Sequence, residues 1–396
     1  MSPARRLAAA LAGMTVASQF HRASVGVVAP ELAAELGMGP EALGAANTAF
    51  FGALMLAQIP VGLALDRLGP RRLVLALTAL AVPAALLQAL AQDGTQFLLA
   101  RFLLGLGCAA SFMSVIVLAG RWHAGAGVTR AVAQVFAWSQ LGILAAGAPL
   151  AVVAGGLGWR AAYGLSAGAT LLLGVLWWRW AADDPPDAPP RAKPRESLRE
   201  ALAGQLAVWA TPGLPRILAL HGVGYAVMAT LLALWAGPYL FEVHGLDPTA
   251  RGAVLLLMGL AAPAGQLLVP IAERTLGRDR AVLALAGSVV LALLGLAWPG
   301  LPLGAAVALL AWICAGSAYP ILLVTQGRAL FPEHRVGRGV TTVNLAQVLG
   351  STLLPLAVGA VLGSLGASEA GWRAGFFLLA GVLAAGMAGY RWLPRA

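Results

Sequence analysis

Long apolar runs, separated by short polar segments, extend along the whole chain. A helix needs roughly 20 apolar residues to cross a hydrocarbon core about 30 Å thick. Twelve runs of that kind begin near Leu7, Leu43, Leu73, Gln96, Ala131, Ala161, Arg216, Gly252, Ala281, Pro302, Gly339 and Ala374. The pattern therefore predicts an all-α membrane protein with twelve transmembrane helices, whose boundaries are fixed only to about 2–4 residues.

The composition excludes the other broad classes of protein. Of the 396 residues, 60% are hydrophobic and 11% are charged, whereas a soluble domain carries about 25% charged residues. Disordered chains are excluded too, because they are polar. Cys108 and Cys314 both lie inside apolar runs, so we expect no disulfide framework, no metal site and no other cofactor.

The basic residues indicate the orientation in the membrane. They resist translocation, and with both termini inside, most of the 26 Lys and Arg residues fall in inner segments. Only Arg160, Arg251 and Arg373 fall in outer loops. Because the basic residues punctuate apolar runs and form no patch, a nucleic-acid partner is not expected. We expect an integral protein of the bacterial cytoplasmic membrane, with both termini cytoplasmic.

A different kind of sequence divides the chain near its middle. Residues 183–195 are proline-rich and charged, which indicates a solvated linker. After them, Leu198, Leu202, Leu206 and Trp209 recur at helical spacing. They predict either an amphipathic helix on the inner membrane surface or a connecting helix packed on the bundle. The expected units are residues 1–180, a cytoplasmic linker over 181–212, and residues 213–396.

The two sides of the linker resemble each other. Gly-Trp-Arg opens the sixth run at residues 158–160 and the twelfth at 371–373. An acidic residue, an arginine and a following glycine recur at 66–69 and 273–277. These matches predict two pseudo-symmetric six-helix bundles, with a binding site between them near the midplane.

Residues 62–72, Gly-Leu-Ala-Leu-Asp-Arg-Leu-Gly-Pro-Arg-Arg, lie between the second and third runs. They resemble a loop signature of the major facilitator superfamily, although Pro70 stands where a basic residue is common. Arg101, Gly105 and Gly107 match a second signature, on the fourth helix. The resemblance covers the whole chain. It implies a secondary active transporter that moves a small solute by alternating access without ATP hydrolysis.

The first signature implies a gate. An acid at the end of one helix is favoured against the N-terminal end of a neighbouring helix. Such a contact would hold the halves together in one state and break in the other. The alternative is that the loop is basic only to fix the topology. The predicted gating residues are Gly62, Asp66, Arg67, Gly69, Arg71 and Arg72.

Charged groups inside spans are costly and usually functional. His21 and Arg22 lie past the middle of the first span and Arg101 lies in the fourth, whereas every acidic residue lies in a loop or at a span end. The resemblance places both spans at the central cavity, where an unpaired positive charge needs an anionic partner. Guanidinium groups suit carboxylate and phosphate oxygens. The alternatives are that Arg101 bridges backbone carbonyls and that Arg22 reaches the outer surface.

His21 is the candidate proton carrier, because imidazole titrates near neutral pH; otherwise it is a packed neutral residue. With His21, Arg22 and Arg101, we predict that neutral polar and aromatic groups bind the substrate. Each of these is more often an interhelical hydrogen-bonding group than a ligand. They are Asn47, Gln134, Trp138, Tyr225, Gln266, Trp312, Tyr319, Asn344 and Gln347.

The predicted function is transport of a small organic or inorganic anion, by proton symport or exchange, in a monomer embedded in membrane lipid. The alternative is a proton-coupled exporter of drugs or metabolites. That class usually needs a buried acid, and its fifth-helix signature is matched poorly by residues 147–156. A membrane enzyme acting on lipids is a third class, but it needs an acidic pair or a metal site near the membrane face.

Overall fold

The computed structural model describes residues 1–124, 126–186, 200, 203–204, 208–331 and 336–394. These ranges are helical and contain no strand. The helices of the first half are α1 (Pro3–Ala23), α2 (Val25–Leu36), α3 (Pro40–Leu68), α4 (Pro70–Leu90), α5 (Gly94–Cys108), α6 (Ser111–Trp122), α7 (Ala126–Ala145) and α8 (Ala148–Trp180).

The second half repeats this plan, with one π-helical turn, Leu231–Trp235. Its helices are α9 (Leu214–Thr230), α10 (Ala236–Glu242), α11 (Pro248–Gly265), α12 (Leu268–Leu276), α13 (Arg278–Leu296), α14 (Leu303–Gly316), α15 (Pro320–Ala329), α16 (Val336–Leu365) and α17 (Glu369–Trp392).

Nine helical stretches of the described residues are long and apolar enough to cross a membrane, and α11 with α12, bent by 42°, makes a tenth. One of the nine, 130–180, is interrupted at Gly158, where φ is 83° and ψ is 158°. Divided there, it supplies both the fifth and the sixth predicted spans. The first predicted span consists of α1 and α2, neither of which is both long enough and apolar enough to be counted among these stretches.

Most helices begin a few residues before the positions predicted from the apolar runs. Proline occupies the first turn of α3, α4 and α11, where its missing N–H costs nothing. Other helices start at a capping side chain: the Gln96 N–H donates to Asp93 Oδ1 at 2.8 Å. These first turns are polar, so a count of apolar residues leaves them out.

The helical pattern is interrupted inside several spans: at Ser24 in the first, at 109–110 in the fourth, at 146–147 in the fifth, at 266–267 in the eighth and at 317–319 in the tenth. A π-helical turn lies within the seventh, and the bend in the eighth is 42°. The uninterrupted helices α3, α4, α13, α16 and α17 form the second, third, ninth, eleventh and twelfth spans. Discontinuous helices near the midplane are typical of transporter binding sites, because their ends leave backbone polar groups free.

Matching contacts in the two halves confirm the predicted repeat. Arg160 Nη2 donates to the carbonyl oxygen of Ala91, just after α4, at 2.8 Å. Arg373 Nε donates to the carbonyl oxygen of Ala297, just after α13, at 2.9 Å. The turn before α4 and the turn before α13 also share one left-handed glycine conformation, with φ of 81° and 77°. The precise boundaries of the units remain predictions.

The prediction of a helix in the linker cannot be checked against the described residues. Leu198, Leu202 and Leu206, on which the amphipathic helix was predicted, lie outside the described residues. Trp209 is described and is partly exposed.

The halves pack against each other on the side predicted to face outward. There α2 packs on the π-helical turn and α10, α3 packs on α16, and α8 packs on α11. Thr48 Oγ1 donates to the carbonyl oxygen of Thr352 at 2.6 Å. A methyl group added at Gly44 would lie 2.7 Å from the carbonyl oxygen of Pro355, so glycine permits this close approach.

Candidate functional site

Arg22 is a half-buried cation in the last turn of α1, at the break in the first span. Its Nε is buried and has no hydrogen-bond partner. Its Cζ lies 5.0 Å from the ring centre of Phe112 and 5.9 Å from that of Phe51. These rings contact the guanidinium without accepting strong hydrogen bonds. Among the described residues, no carboxylate pairs with Arg22.

Arg101, which the sequence offers as a second anion site, is fully buried and already bonded. Its Nη1 donates to the carbonyl oxygen of His21 at 2.6 Å, and its Nη2 and Nε reach Asn47 Oδ1 and the carbonyl oxygen of Ala46, each at 3.4 Å. It also lies 4.4 Å from the centre of the Phe50 ring. This geometry favours the bridging role, because one side chain ties α1, α3 and α5 together.

His21 points away from Arg22, toward the sixth span. Its Nε2 lies 3.1 Å from Thr170 Oγ1, and the Thr170 hydroxyl donates to the carbonyl oxygen of Ser166 at 2.8 Å. The Thr170 oxygen therefore accepts from Nε2–H, which leaves Nδ1 unprotonated. Nδ1 is buried and has no partner.

The predicted substrate-binding residues of the second half differ in their burial and contacts. Tyr225 is half-buried and lies within electrostatic range of Arg22. Gln347 is half-buried, and Gln266 and Asn344 are exposed. Tyr319 is buried with its hydroxyl unpartnered against the α9 backbone.

Trp312 is directed elsewhere, because its Nε1 donates to Ser288 on α13 at 3.2 Å. Trp312 is therefore bonded to a neighbouring helix of its own half, which does not favour a substrate contact.

A cavity of about 640 Å³ opens at the inner side of the first half. Gln134 and Trp138 line it, together with Arg5 and Arg130, and their part in substrate binding remains a prediction. The cavity is bounded by α1, α6 and α7. All of its lining residues belong to the first half, at the end of the bundle that holds the N-terminus.

The gating signature contacts the start of the linker. The backbone N–H of Arg71 donates to Asp183 Oδ1 at 2.7 Å, and Arg71 Nη2 donates to the carbonyl oxygen of Trp178 at 3.1 Å. Asp183 thus places a negative charge at the N-terminus of α4, where it is favoured. Arg67 and Arg72 are exposed, and the Asp66 side chain lies outside what the structure describes.

Gly62 and Gly69 also lie within the first half. A methyl group at Gly62 would meet Met113 at 3.5 Å. Gly69 adopts the positive φ of the turn and approaches the Asp183 carboxylate. Gating by this signature remains a prediction.

The sequence analysis missed an ion pair that joins the halves on the outer side. Arg251, at the start of α11, pairs with Glu31 of α2. The Arg251 side chain is fully buried, and its Nε and Nη1 have no partner. Sequence reasoning placed Arg251 in an exposed outer loop, because nothing in the spacing connects two residues so far apart.

Two similar helical halves that pack on each other beside a half-buried cation are typical of membrane transporters. No group of three or more His, Cys, Asp or Glu side chains in the described ranges could hold a metal ion. The model of the Major Facilitator Superfamily matches residues 11–355. The chain therefore belongs to this superfamily and is an integral membrane transporter of a small molecule.

Solved structures share the fold at low sequence identity. A bacterial homologue of the human lysosomal transporter Spinster, inward-facing and occupied, is 16% identical, with a TM-score of 0.77 over 99% of this chain and 97% of that one. A D-xylose–proton symporter is 13% identical, with a TM-score of 0.76 over 100% and 99%. The nucleoside transporter NupG is 12% identical, with a TM-score of 0.72 over 99% and 100%. No curated protein matches the chain.

Proposed function

We propose that this transporter carries a small anion, bound at Arg22, together with a proton. The single observation that supports the proposal most is the buried Nε of Arg22, which has no acceptor. An uncompensated charge inside a membrane protein is costly. A bound carboxylate or phosphate would supply both the acceptors and the counter-charge.

Arg22 is also suitably placed for alternating access. It lies at the break between α1 and α2, next to the outer contact and above the inner cavity. Tyr225, from the other half, lies within its electrostatic range. An anion at this point can therefore interact with both halves, which is what a ligand needs in order to bias their equilibrium.

Proton coupling is assigned to His21. Its Nδ1 is a free basic nitrogen, and its ring lies next in sequence to Arg22. The His21 ring faces away from Arg22 but interacts electrostatically with Arg101, so protonation adds a second positive charge to this part of the protein, which is unfavourable unless an anion is bound. Anion and proton therefore stabilise each other, and one of each leaves the charge of the loaded site unchanged.

Removing the cation should weaken anion binding without unfolding the protein. We expect Arg22→Gln to lose anion binding by at least about ten-fold, because a charge-assisted pair in a poorly solvated site is worth roughly 1.5–3 kcal/mol. Isothermal titration of the purified protein with a panel of carboxylates and phosphates measures this. Arg5→Gln, at the inner cavity, is the matched control. Unchanged anion affinity in Arg22→Gln, or stabilisation by cations only, would favour the exporter alternative.

Proton coupling can be tested separately. In proteoliposomes, His21→Gln should abolish uptake driven by a pH gradient while downhill anion exchange continues. His123→Gln, in which the altered imidazole is exposed at the inner end of α6, serves as the control. A His21→Gln protein that still accumulates anion when the gradient is imposed contradicts the assignment.

We further propose that the protein works as a monomer in the bacterial cytoplasmic membrane with cytoplasmic termini. The distribution of its basic residues supports this orientation. Protease cleavage of the proline-rich linker only from the cytoplasmic side would test it.

A further inference from the structure

We infer that the anion bound at Arg22 is a monocarboxylate with a flat aromatic body. This inference rests on the proposed anion transport and names the substrate class of the same site. It follows from three features: the number of free charges, the aromatic surface beside Arg22, and the neutral residue Tyr225.

The first feature is the charge available to the substrate. Arg101 uses its donors on three protein oxygens. Arg22 is then the mid-depth cation, among the described residues of the first half, with a free donor. One guanidinium presents one fork of donors, which fits one carboxylate group. A second carboxylate on the substrate would need a second cationic donor, and Arg101 offers none because it is already bonded.

The second feature is the aromatic wall around the guanidinium. Phe112 and Phe51 flank Arg22, and the Phe136 ring contacts Phe112 edge-on with a centroid distance of 5.3 Å. Phe112 and Phe136 are half-buried, so part of each ring surface is accessible. A flat aromatic body can pack there in offset or edge-to-face geometry. A small inorganic anion cannot cover this surface.

The third feature is Tyr225, a half-buried residue of α9 in the second half that lies within electrostatic range of Arg22. Its hydroxyl can hydrogen-bond a polar substituent and adds no positive charge. It therefore suits an uncharged ring that carries a hydroxyl, and gives no support to a second carboxylate.

The test is titration of the purified protein, at constant ionic strength, with benzoate, cyclohexanecarboxylate, acetate, phthalate and inorganic phosphate. We expect benzoate to bind most tightly, about ten-fold more tightly than acetate, because each aromatic contact adds roughly 0.5–1.5 kcal/mol. Cyclohexanecarboxylate, which matches benzoate in size without being flat, should fall between them. Phthalate and phosphate should bind no better than acetate.

Variants separate this inference from the proposed function. Phe112→Leu should weaken benzoate roughly ten-fold and leave acetate unchanged, and Phe136→Leu serves if Phe112→Leu does not fold. Phe377→Leu, an exposed ring on α17, is the matched control. If phosphate binds best, or if Phe112→Leu and Phe136→Leu leave benzoate unchanged, the aromatic inference fails while anion transport stands. If no anion binds, both fail.

Discussion

Glu31→Gln is expected to release the outer contact between the halves. The substitution keeps the shape of the side chain but leaves the buried Arg251 charge without a counter-charge. Breaking a fully buried pair costs about 3–5 kcal/mol. The Glu31 side chain is 34% exposed, so the effect will be smaller. A loss of only about 1.4 kcal/mol in the stability of the outer contact would raise the outward-open population ten-fold.

Cysteine accessibility measures this shift. Thr352 is buried at the outer contact, with 6% of its surface exposed, so Thr352→Cys reports whether that contact opens. With Cys108 and Cys314 replaced by serine, we expect Glu31→Gln to raise labelling by an impermeant maleimide at least ten-fold. Glu35→Gln is the matched control, because Glu35 pairs with Arg160 inside the first half. Equal labelling in the two variants would exclude Glu31–Arg251 as an outer latch.

Arg101→Leu is expected to cause the largest loss of stability. It leaves the carbonyl oxygens of His21 and Ala46, together with Asn47 Oδ1, without their donor. Each unmade bond to a buried group costs about 1–3 kcal/mol. We therefore expect the free energy of unfolding to fall by roughly 3 kcal/mol or more, and Tm in detergent by roughly 5 °C or more.

The comparison with Arg22→Gln makes the result specific. Arg22 makes no hydrogen bond to the residues that the structure describes, so its replacement should leave Tm within about 2 °C or raise it. Arg101→Lys should be intermediate, because an ammonium group cannot reach three acceptors in the fork geometry of guanidinium. If Arg22→Gln destabilises the protein as much as Arg101→Leu, the separation into a binding arginine and a structural arginine is wrong.

The sequence predicted the elements better than their side-chain directions. The length of the apolar runs was enough to predict the helices, because the membrane thickness sets a minimum length for a helix that spans it. The repeated Gly-Trp-Arg was enough for the symmetry, and its arginines make equivalent contacts. The signature at residues 62–72 led to the superfamily, which the family model confirms.

The candidate site depends on tertiary geometry that spacing does not contain. His21 and Arg22 are adjacent in sequence, yet consecutive positions on a helix differ by about 100°, so one faces Thr170 and the other faces Phe112. Whether Arg101 is free or bonded depends on two other helices. The Glu31–Arg251 pair joins residues of different halves, for which no local pattern exists.

The broken spans bear on how the protein moves. A spanning helix that is interrupted partway can bend at the interruption, so its two segments can move separately. The short outer piece α2, which rests on the π-helical turn, can swing while α1 keeps its place beside α7. Opening to each side of the membrane can then depend on a different helical segment, and a solute bound at the break contacts both segments.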